Sequence, residues 1–211
     1  MSDKDGKTLL EGAYGLATPE DNLAYYRDFA ARYDSDFVLG LGYSYPATVA
    51  RIYGDLATPE DKPVADIGCG TGLVGAELGG VAVDGMDISP EMLEIARGRG
   101  AYRALYEVDL TGDLSALAAN YGAVVSAGTF THGHLGPEVL TALLGLARAG
   151  ALFVIGVNAA HYRSQGFEAQ LGRLQADARI GPVSAVEVPI YDKAGHDHAG
   201  DRALVLNWRV A

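Results

Sequence analysis

The chain has 211 residues, a length that fits one domain. Hydrophobic residues make up 49% of it, which excludes an intrinsically disordered chain, and the single cysteine, Cys69, excludes a disulfide scaffold. The net charge is −11 with no basic stripe, so we expect no nucleic-acid partner.

The first 62 residues predict a helical cap that belongs to the same domain as the rest of the chain. Thr18-Pro19-Glu20-Asp21 is typical of a helix start, and an apolar stripe then steps by three or four residues to Phe37. A second helix is predicted from Pro46 to about Leu56. The first 21 residues lack the apolar stretch of a signal peptide, which favours a cytoplasmic protein.

From residue 63 to residue 211, short apolar strands alternate with helices. The predicted strands are Val64–Ile67, Val81–Met86, Arg103–Val108, Ala123–Ala127, Ala151–Val157, Val183–Tyr191 and Ala203–Val210. The predicted helices are Leu73–Leu78, Pro90–Arg99, Asp113–Asn120, Pro137–Ala149 and Phe167–Ala178. This alternation predicts an α/β fold, a Rossmann-like doubly wound sheet of seven strands. The sheet is mostly parallel and ends in a C-terminal antiparallel hairpin.

One apolar window, Val139 to Ala160, imitates a membrane span in its composition. Arg148 lies near its middle and Gly150 follows, whereas a span needs about 20 unbroken apolar residues. We therefore interpret the window as a buried helix, a stop and a buried strand, and expect no membrane partner.

A glycine-rich turn, Gly68-Cys69-Gly70-Thr71-Gly72, follows the first predicted strand of the sheet. Glycines let a ligand approach the main chain, and such a turn lies at the edge of an α/β sheet where ligands bind. Asp87 and Asp109 follow the next two strands. A carboxylate at the first of these positions can accept both hydroxyls of a ribose, and one at the second can accept from an adenine amino group.

The same glycines also match a dinucleotide-binding pattern, because Gly70 to Gly75 reads G-x-G-x-x-G and an acid follows. Asp66, directly ahead of the glycines, would repel a pyrophosphate but would suit a cationic ligand that carries an amino group and a sulfonium. An NAD(P)-dependent oxidoreductase is therefore the less favoured alternative.

Three stretches, Asp66–Gly72, Asp87–Leu93 and Asp109, resemble the class I S-adenosyl-L-methionine-dependent methyltransferases, with the core spanning residues 63–211. Tyr33-Asp34, together with Ala127–His134, resembles the methyltransferase-like proteins of the Williams–Beuren region. The resemblance implies S-adenosyl-L-methionine as cofactor and S-adenosyl-L-homocysteine as product. It implies cofactor contacts at twelve positions: Tyr33, Asp66, Gly68, Cys69, Gly70, Gly72, Asp87, Ile88, Asp109, Leu110, Ala127 and Gly128.

The side of the site that would hold the methyl acceptor has weaker signals. His132 and His134 follow the fourth strand and are candidate catalytic bases; the alternatives are contact with the substrate or cofactor and solvated loop residues. Six residues are candidates for substrate binding: Tyr25, Tyr26, Phe130, Asn158, His161 and Tyr162. His196-Asp197-His198 lies on a hairpin loop that does not preorganise ligands, so we expect no metal.

These patterns predict a cytoplasmic enzyme that transfers a methyl group from S-adenosyl-L-methionine to a small-molecule acceptor. Because no acceptor motif follows the fourth strand, the acceptor atom stays open between O, N, C and S. A non-catalytic sensor or scaffold that binds S-adenosylmethionine or S-adenosylhomocysteine is the alternative of another class.

Overall fold

A computed structural model describes residues 27, 30, 33–117 and 119–211 of the chain. Most of the predicted helix between Thr18 and Phe37 therefore lies outside the described residues. Its last part, Tyr33–Leu39, is a short π-helical segment. We call Tyr33–Leu39 the covering segment, because Tyr33 reaches the candidate site described below.

Seven strands and six α-helices are present in the described part of the chain. The strands are β1 Val64–Ile67, β2 Val83–Asp87, β3 Ala104–Glu107, β4 Tyr121–Phe130, β5 Ala147–Asn158, β6 Ser184–Pro189 and β7 Arg202–Arg209. The α-helices are α1 Tyr45–Leu56, α2 Leu73–Glu77, α3 Pro90–Arg99, α4 Leu140–Leu144, α5 Ala159–Ser164 and α6 Phe167–Ala176. A 3₁₀ turn at Pro137–Val139 precedes α4.

The strands form one sheet in the order β3-β2-β1-β4-β5-β7-β6. β1 to β5 are mutually parallel, whereas β7 runs antiparallel to both β5 and β6. The predicted seven-stranded, mostly parallel, Rossmann-like sheet with a C-terminal antiparallel hairpin is confirmed. The antiparallel hairpin differs from the dinucleotide-binding fold, whose second half continues as parallel strands.

Apolar side chains pack on both faces of this sheet. On one face, α1 and α2 contribute Val49, Ile52 and Val74, which pack with Val64 and Val154. On the other face, Leu143 from α4 and Phe167 from α6 pack against a cluster that includes Ile67, Phe153 and Trp208. The helix α1 of the predicted cap and the core helix α2 thus share the hydrophobic cluster on one face of the sheet.

The connection between strands places the site at one edge of the sheet. β1 lies between β2 and β4, so the chain leaves β1 to one side for β2 and β3 and later returns on the other side as β4. Ligands of open α/β sheets bind in the crevice at such a reversal, outside the carboxyl ends of the strands. The glycine-rich turn, Asp87 and the end of β4 all lie at that edge.

Three predicted elements differ from the structure. The described residues of the predicted helix Asp113–Asn120 form turns and bends. The Asp113 side chain accepts hydrogen bonds from the amide and the hydroxyl of Ser115, which stabilises a local turn in place of a helix. The predicted helix Pro137–Ala149 ends at Leu144, and β5 begins at Ala147, which pairs with Tyr121 of β4. Helix α5 was missed by the sequence prediction. Its N-cap is Asn158, whose side chain accepts from the amides of Ala160 and His161.

Two buried carboxylates fasten the opposite edge of the sheet. Asp61 accepts hydrogen bonds from both terminal nitrogens of Arg209, at 2.8 and 3.0 Å. Asp84 receives Arg103 at 2.7 and 3.0 Å and the Tyr121 hydroxyl at 2.9 Å. Within the described residues, no helix is long and apolar enough to cross a membrane, and the window from Val139 to Ala160 is α4 followed by β5.

Candidate active site

The three glycines of the turn after β1 have positive φ angles, but their surroundings differ. A Cβ on Gly68 would lie 2.0 Å from the Thr129 Oγ1 atom, and one on Gly72 would lie 3.2 Å from the Ala96 Cα of α3. Gly70 has φ +52° and no atom within 4 Å of its Cβ position. Gly68 and Gly72 therefore allow close packing, whereas Gly70 leaves space open.

That space belongs to a cavity of about 220 Å³ at the carboxyl edge of the sheet. It lies between the glycine turn, the ends of β2 and β4, the loop after β3 and the covering segment. Its lining residues are Tyr33, Tyr43, Pro46, Gly68, Cys69, Gly70, Thr71, Leu73, Val74, Asp87, Ile88, Met92, Val108, Asp109, Leu110, Thr111, Ala127, Gly128, Thr129, Gly133, His134 and Leu135.

Asp87, at the end of β2, presents a carboxylate to the cavity with both oxygens held in place. Its Oδ2 accepts from the Gly70 amide at 2.8 Å, and its Oδ1 accepts from the Ser89 amide at 2.9 Å. Burial raises the pKa of Asp87, while the hydrogen bonds from the Ser89 and Gly70 amides oppose that rise. A carboxylate oxygen has two acceptor positions, so each oxygen can accept a further hydrogen bond.

Asp109, in the loop after β3, also lines the cavity. Its Oδ1 accepts from the amide and the hydroxyl of Thr111, at 2.8 and 2.7 Å. This local turn fixes the carboxylate and brings Leu110 and Thr111 into the lining beside it. Asp109 thus has a structural role in its own loop as well as a place in the cavity.

Asp66 lies beneath the glycine turn and not among the lining residues of the cavity. It is fully buried, and its Oδ2 accepts from the Tyr102 hydroxyl at 2.7 Å. Burial raises its pKa to about 7, and the nearby charge of Asp87 adds to the rise against the hydrogen bonds from Tyr102 and Gly75. Asp66 therefore lies behind the glycine turn and does not line the cavity, although the sequence places it next to the glycines.

The opposite wall of the cavity comes from the chain that precedes the sheet. Tyr33 belongs to the covering segment, and Tyr43 and Pro46 lie at the start of α1. The Tyr43 hydroxyl would lie 2.4 Å from a Cβ on Gly128, whose φ is +87°. Glycine at position 128 therefore lets this aromatic wall approach the end of β4.

His134 lines the cavity, and a backbone contact orients its ring. The Nδ1 atom lies 3.0 Å from the carbonyl oxygen of His132. Because a carbonyl only accepts, Nδ1 carries the proton in the neutral ring and Nε2 carries the lone pair. Burial lowers the pKa of His134 below its usual 6.5, so the ring is neutral at pH 7. A neutral imidazole with this tautomer can accept a proton at Nε2.

His132 does not line the cavity, although the sequence places it with His134. Its ring packs edge-on against His161, with the ring centroids 5.1 Å apart. His161 packs in turn against Phe167, and its Nε2 lies 3.0 Å from the carbonyl oxygen of Leu135. His132 therefore supplies the carbonyl that orients His134, while its ring joins an aromatic cluster.

The structure does not bring the predicted substrate residues to the cavity. Phe130 is fully buried against Phe167, Asn158 caps α5, and Tyr162 stacks on Phe167. His161 belongs to the same cluster. Tyr25 and Tyr26 lie outside the described residues.

The lining also contains residues that the sequence analysis did not single out. Some flank predicted positions, as Val108 and Thr111 flank Asp109 and Leu110, and neighbourhood along the chain was the signal available for them. Tyr43 and Pro46 had no such signal, because they reach the cavity only through the packing of α1 on the sheet. Thr129 lies between the predicted positions Gly128 and Phe130, and its hydroxyl is within hydrogen-bond distance of the carbonyl oxygens of Ile67 and Gly68.

These residues suit a nucleoside ligand. Gly70 leaves open the space that a Cβ would fill, which lets a ligand touch the main chain. Asp87 offers two fixed acceptors for a pair of hydroxyls, and Val108 and Leu110 offer apolar surface for a base beside Asp109. In the described part of the chain, no three His, Cys, Asp or Glu side chains are grouped to hold a metal ion.

The sequence profile of a protein family, described as a methyltransferase domain, matches residues 64–151. Over those residues the chain is similar to a methyltransferase domain. They contain the glycine turn, Asp87, Asp109 and His134. The predicted resemblance to the class I S-adenosyl-L-methionine-dependent methyltransferases is confirmed.

The similarity to one known protein covers more of the chain than the matched domain does. Human methyltransferase-like protein 27 is 32% identical over 151 residues, which cover 64% of this chain and 60% of that protein. The chain thus spans about three fifths of that relative's length.

Solved structures share the fold at lower identity. The 1,6-didemethyltoxoflavin-N1-methyltransferase of Burkholderia thailandensis, solved with 1,6-didemethyltoxoflavin and S-adenosylhomocysteine, is similar with a TM-score of 0.61 and 22% identity. The similarity covers 93% of this chain and 92% of that one. A TehB-like methyltransferase of Corynebacterium glutamicum has a TM-score of 0.57 and 20% identity, over 91% of this chain and 97% of that one.

The open space at Gly70 leads to a first prediction. We expect Gly70→Val to abolish S-adenosylhomocysteine binding in calorimetry, because the new side chain would occupy the space that the ligand needs. Gly100→Val is the matched control, since Gly100 also has a positive φ and no atom near its Cβ position but caps the exposed end of α3. Both variants carry a backbone cost of about 1–2 kcal/mol. Equal affinities in the two variants would contradict the assignment of Gly70 to the cavity.

The buried Asp66 leads to a second prediction, on the pH dependence of stability. Its pKa rises from 3.8 in the unfolded chain to about 7 in the folded protein, so the folded state holds the extra proton between these values. The contribution of Asp66 to the free energy of unfolding is therefore largest below pH 4 and falls as the pH rises towards 7. Urea unfolding from pH 4 to 8 measures it, and Asp66→Asn should remove this fall. Parallel profiles for wild type and variant would contradict the assignment.

Proposed function

We propose that the chain is an S-adenosyl-L-methionine-dependent methyltransferase that acts on a small-molecule acceptor. The observation that carries the proposal is the Asp87 carboxylate, held at the cavity by the amide of Gly70 in the glycine turn. That contact places two fixed acceptors beside a stretch of exposed main chain. The arrangement suits the ribose and the amino-acid end of the cofactor at the same time.

The cofactor contacts divide between three parts of the cavity. Asp87 and Ile88 hold the ribose, and Asp109 with Leu110 frames the adenine. Gly68, Cys69 and Gly70 lie along the amino-acid end, together with Ala127 and Gly128 at the end of β4. Tyr33 covers the cofactor from the other wall, whereas Asp66 and Gly72 act on the turn from behind. The geometry that supports this division is the cavity lining.

A small acceptor suits the remaining part of the cavity. Its lining includes Tyr43 and Pro46 from the wall opposite the glycine turn, and His134 and Leu135 from the loop after β4. These side chains are apolar or neutral, and the chain has no basic stripe that would bind a nucleic acid. A related fold that holds a small heterocycle, 1,6-didemethyltoxoflavin, lends support by analogy.

The chemistry needs a positioned acceptor and a place for its proton. When bound, S-adenosyl-L-methionine supplies a methyl group made electrophilic by the sulfonium. The aromatic wall excludes water and aligns the acceptor. Where the acceptor is a hydroxyl or an amine, His134 accepts its proton at Nε2, while the His132 carbonyl keeps the proton on Nδ1.

The first experiment measures both binding and transfer. The protein is incubated with methyl-labelled S-adenosyl-L-methionine and a small-metabolite extract, and label in the extract is counted after separation from protein. Transfer supports the enzyme, whereas binding without transfer supports a sensor or scaffold. Binding of NAD(P) but not of S-adenosylhomocysteine would instead support an oxidoreductase and overturn the proposal.

The ribose assignment predicts a loss of affinity in Asp87→Ala. We expect the dissociation constant for S-adenosylhomocysteine in calorimetry to rise at least about tenfold, because hydrogen bonds to a charged group are lost. Asp113→Ala is the control, since Asp113 accepts two similar hydrogen bonds in an exposed turn away from the cavity. An unchanged constant in Asp87→Ala would remove the assignment.

The assignment of His134 predicts a change in the pH profile of methyl transfer. We expect wild-type transfer to fall as the pH drops through the lowered pKa of His134, because the protonated ring cannot accept a proton. His134→Gln should slow transfer by about 10²–10⁴-fold and lose this acid limb, with little change in S-adenosylhomocysteine affinity. His198→Gln, on the hairpin loop beside Asp201, is the control. A variant that keeps the acid limb would show that another group takes the proton.

A further inference from the structure

The Asp34 carboxylate joins three parts of the molecule at the rim of the cavity. Its Oδ1 accepts from the Thr71 hydroxyl at 2.9 Å, and its Oδ2 accepts from the Arg99 guanidinium. The Nε of Arg99 donates to the carbonyl oxygen of Thr71 at 2.5 Å. Hydrogen bonds among Asp34, Thr71 and Arg99 therefore connect the covering segment, the glycine turn and the end of α3 with one another.

Asp34 directly follows a residue that lines the cavity, so its contacts affect the wall of the cavity. Its neighbour Tyr33 lines the cavity, and so does Thr71. A bond at Asp34 therefore fixes the backbone next to the ring that covers the cavity. At its other end, the covering segment is held by Lys193, whose ammonium donates to the carbonyl oxygen of Leu39 at 2.5 Å. The segment is thus fastened at both ends, and only the Asp34 end lies at the cavity.

The strength of the contact is that of a small network and not of one surface ion pair. The Asp34 side chain is 41% exposed and that of Arg99 is 26% exposed, which by itself makes a weak pair in water. Thr71, however, is 1% exposed, and Arg99 is already held by the main chain of the turn. Both partners of Asp34 are therefore held in place by other contacts. Hydrogen bonds to an ionised group are also stronger than those between neutral groups.

We propose that Asp34 is a positioning residue, a latch that holds the covering segment over the cofactor cavity through Thr71 and Arg99. It acts through Tyr33 and the backbone, and it does not touch the reacting atoms. The cofactor and its product leave when the contacts of Asp34 open. The identity of that ligand rests on the proposed function, whereas the latch itself is a property of the unliganded chain.

The first test uses no ligand and the full chain. Asp34→Asn keeps the shape of the side chain and removes its charge. Hydrogen exchange at the amides of residues 33–43 should become about tenfold faster in this variant, while the amides of β1 and β4 keep their protection. Glu94→Gln is the matched control, since it breaks the ion pair with Arg97 on the exposed face of the same helix. Unchanged exchange at residues 33–43, or an equal loss of protection in β1, would overturn the latch.

The second test measures the dissociation of S-adenosylhomocysteine by stopped flow. Asp34→Asn and Arg99→Gln should each raise the dissociation rate about tenfold, and the double variant should raise it by less than the product of the two effects, because the two residues share one ion pair. Added salt should speed dissociation from wild type by screening the pair, and should have less effect on Asp34→Asn. Equal rates and equal salt dependence in wild type and variant would overturn the latch. Failure of wild type to bind would instead contradict the proposed function, and the exchange experiment would still decide the latch.

Discussion

The hydrogen bond from the Gly70 amide to the Asp87 carboxylate is the contact on which the site depends, because it joins the ends of two neighbouring strands at the cavity. It requires β1 and β2 to be parallel and in register, with Ile67 paired to Met86, so that both strands end at the same level. Gly70, which donates this hydrogen bond, has a φ of +52°, a conformation that glycine adopts readily. A slip of one residue would turn Asp87 to the other face of the sheet.

Two carboxylates, the fully buried Asp66 and the half-buried Asp87, lie close together around this contact, and desolvation raises the pKa of both. Asp87 receives two backbone amides, which favour its ionised form against the cost of burial. Asp66 is fully buried on the Tyr102 hydroxyl, with a pKa of about 7, so that it carries a proton for much of the time at neutral pH. The proton on Asp66 reduces repulsion of Asp87, and the negative charge of the site is thereby concentrated where a pair of hydroxyls can use it.

Local patterns in the sequence were sufficient for most of the sheet and for one wall of the cavity. The strand alternation, the glycine turn and the acids after β2 and β3 are read within windows of a few residues, and the structure brings them to one edge. The direction of a side chain at a strand end is not local information, which is why Asp66 was expected at the ligand. Residues 113–117 were expected to be helical from their composition, but Asp113 bonds to its own turn.

The other wall of the cavity was beyond the reach of such patterns. Tyr43 and Pro46 lie far from the glycine turn in sequence, and tertiary packing of α1 on the sheet brings them there. Asn158 and His161 looked equally suited to a ligand, yet one is used as a helix cap and the other in an aromatic cluster. A polar residue after a strand can cap, pack or bind, and its type alone does not distinguish these uses.

The two walls differ in a way that bears on how the cavity works. The sheet side holds its acceptors rigidly, since Asp87 and Thr129 are bonded to the backbone of neighbouring strands or turns. On the other side, the covering segment meets the glycine turn through side chains of Asp34, Thr71 and Arg99. Backbone bonds within a sheet open only with the sheet, whereas a side-chain contact at a rim opens alone. The proposed latch depends on this difference, because the contacts of Asp34 can open while those of Asp87 and Thr129 stay closed.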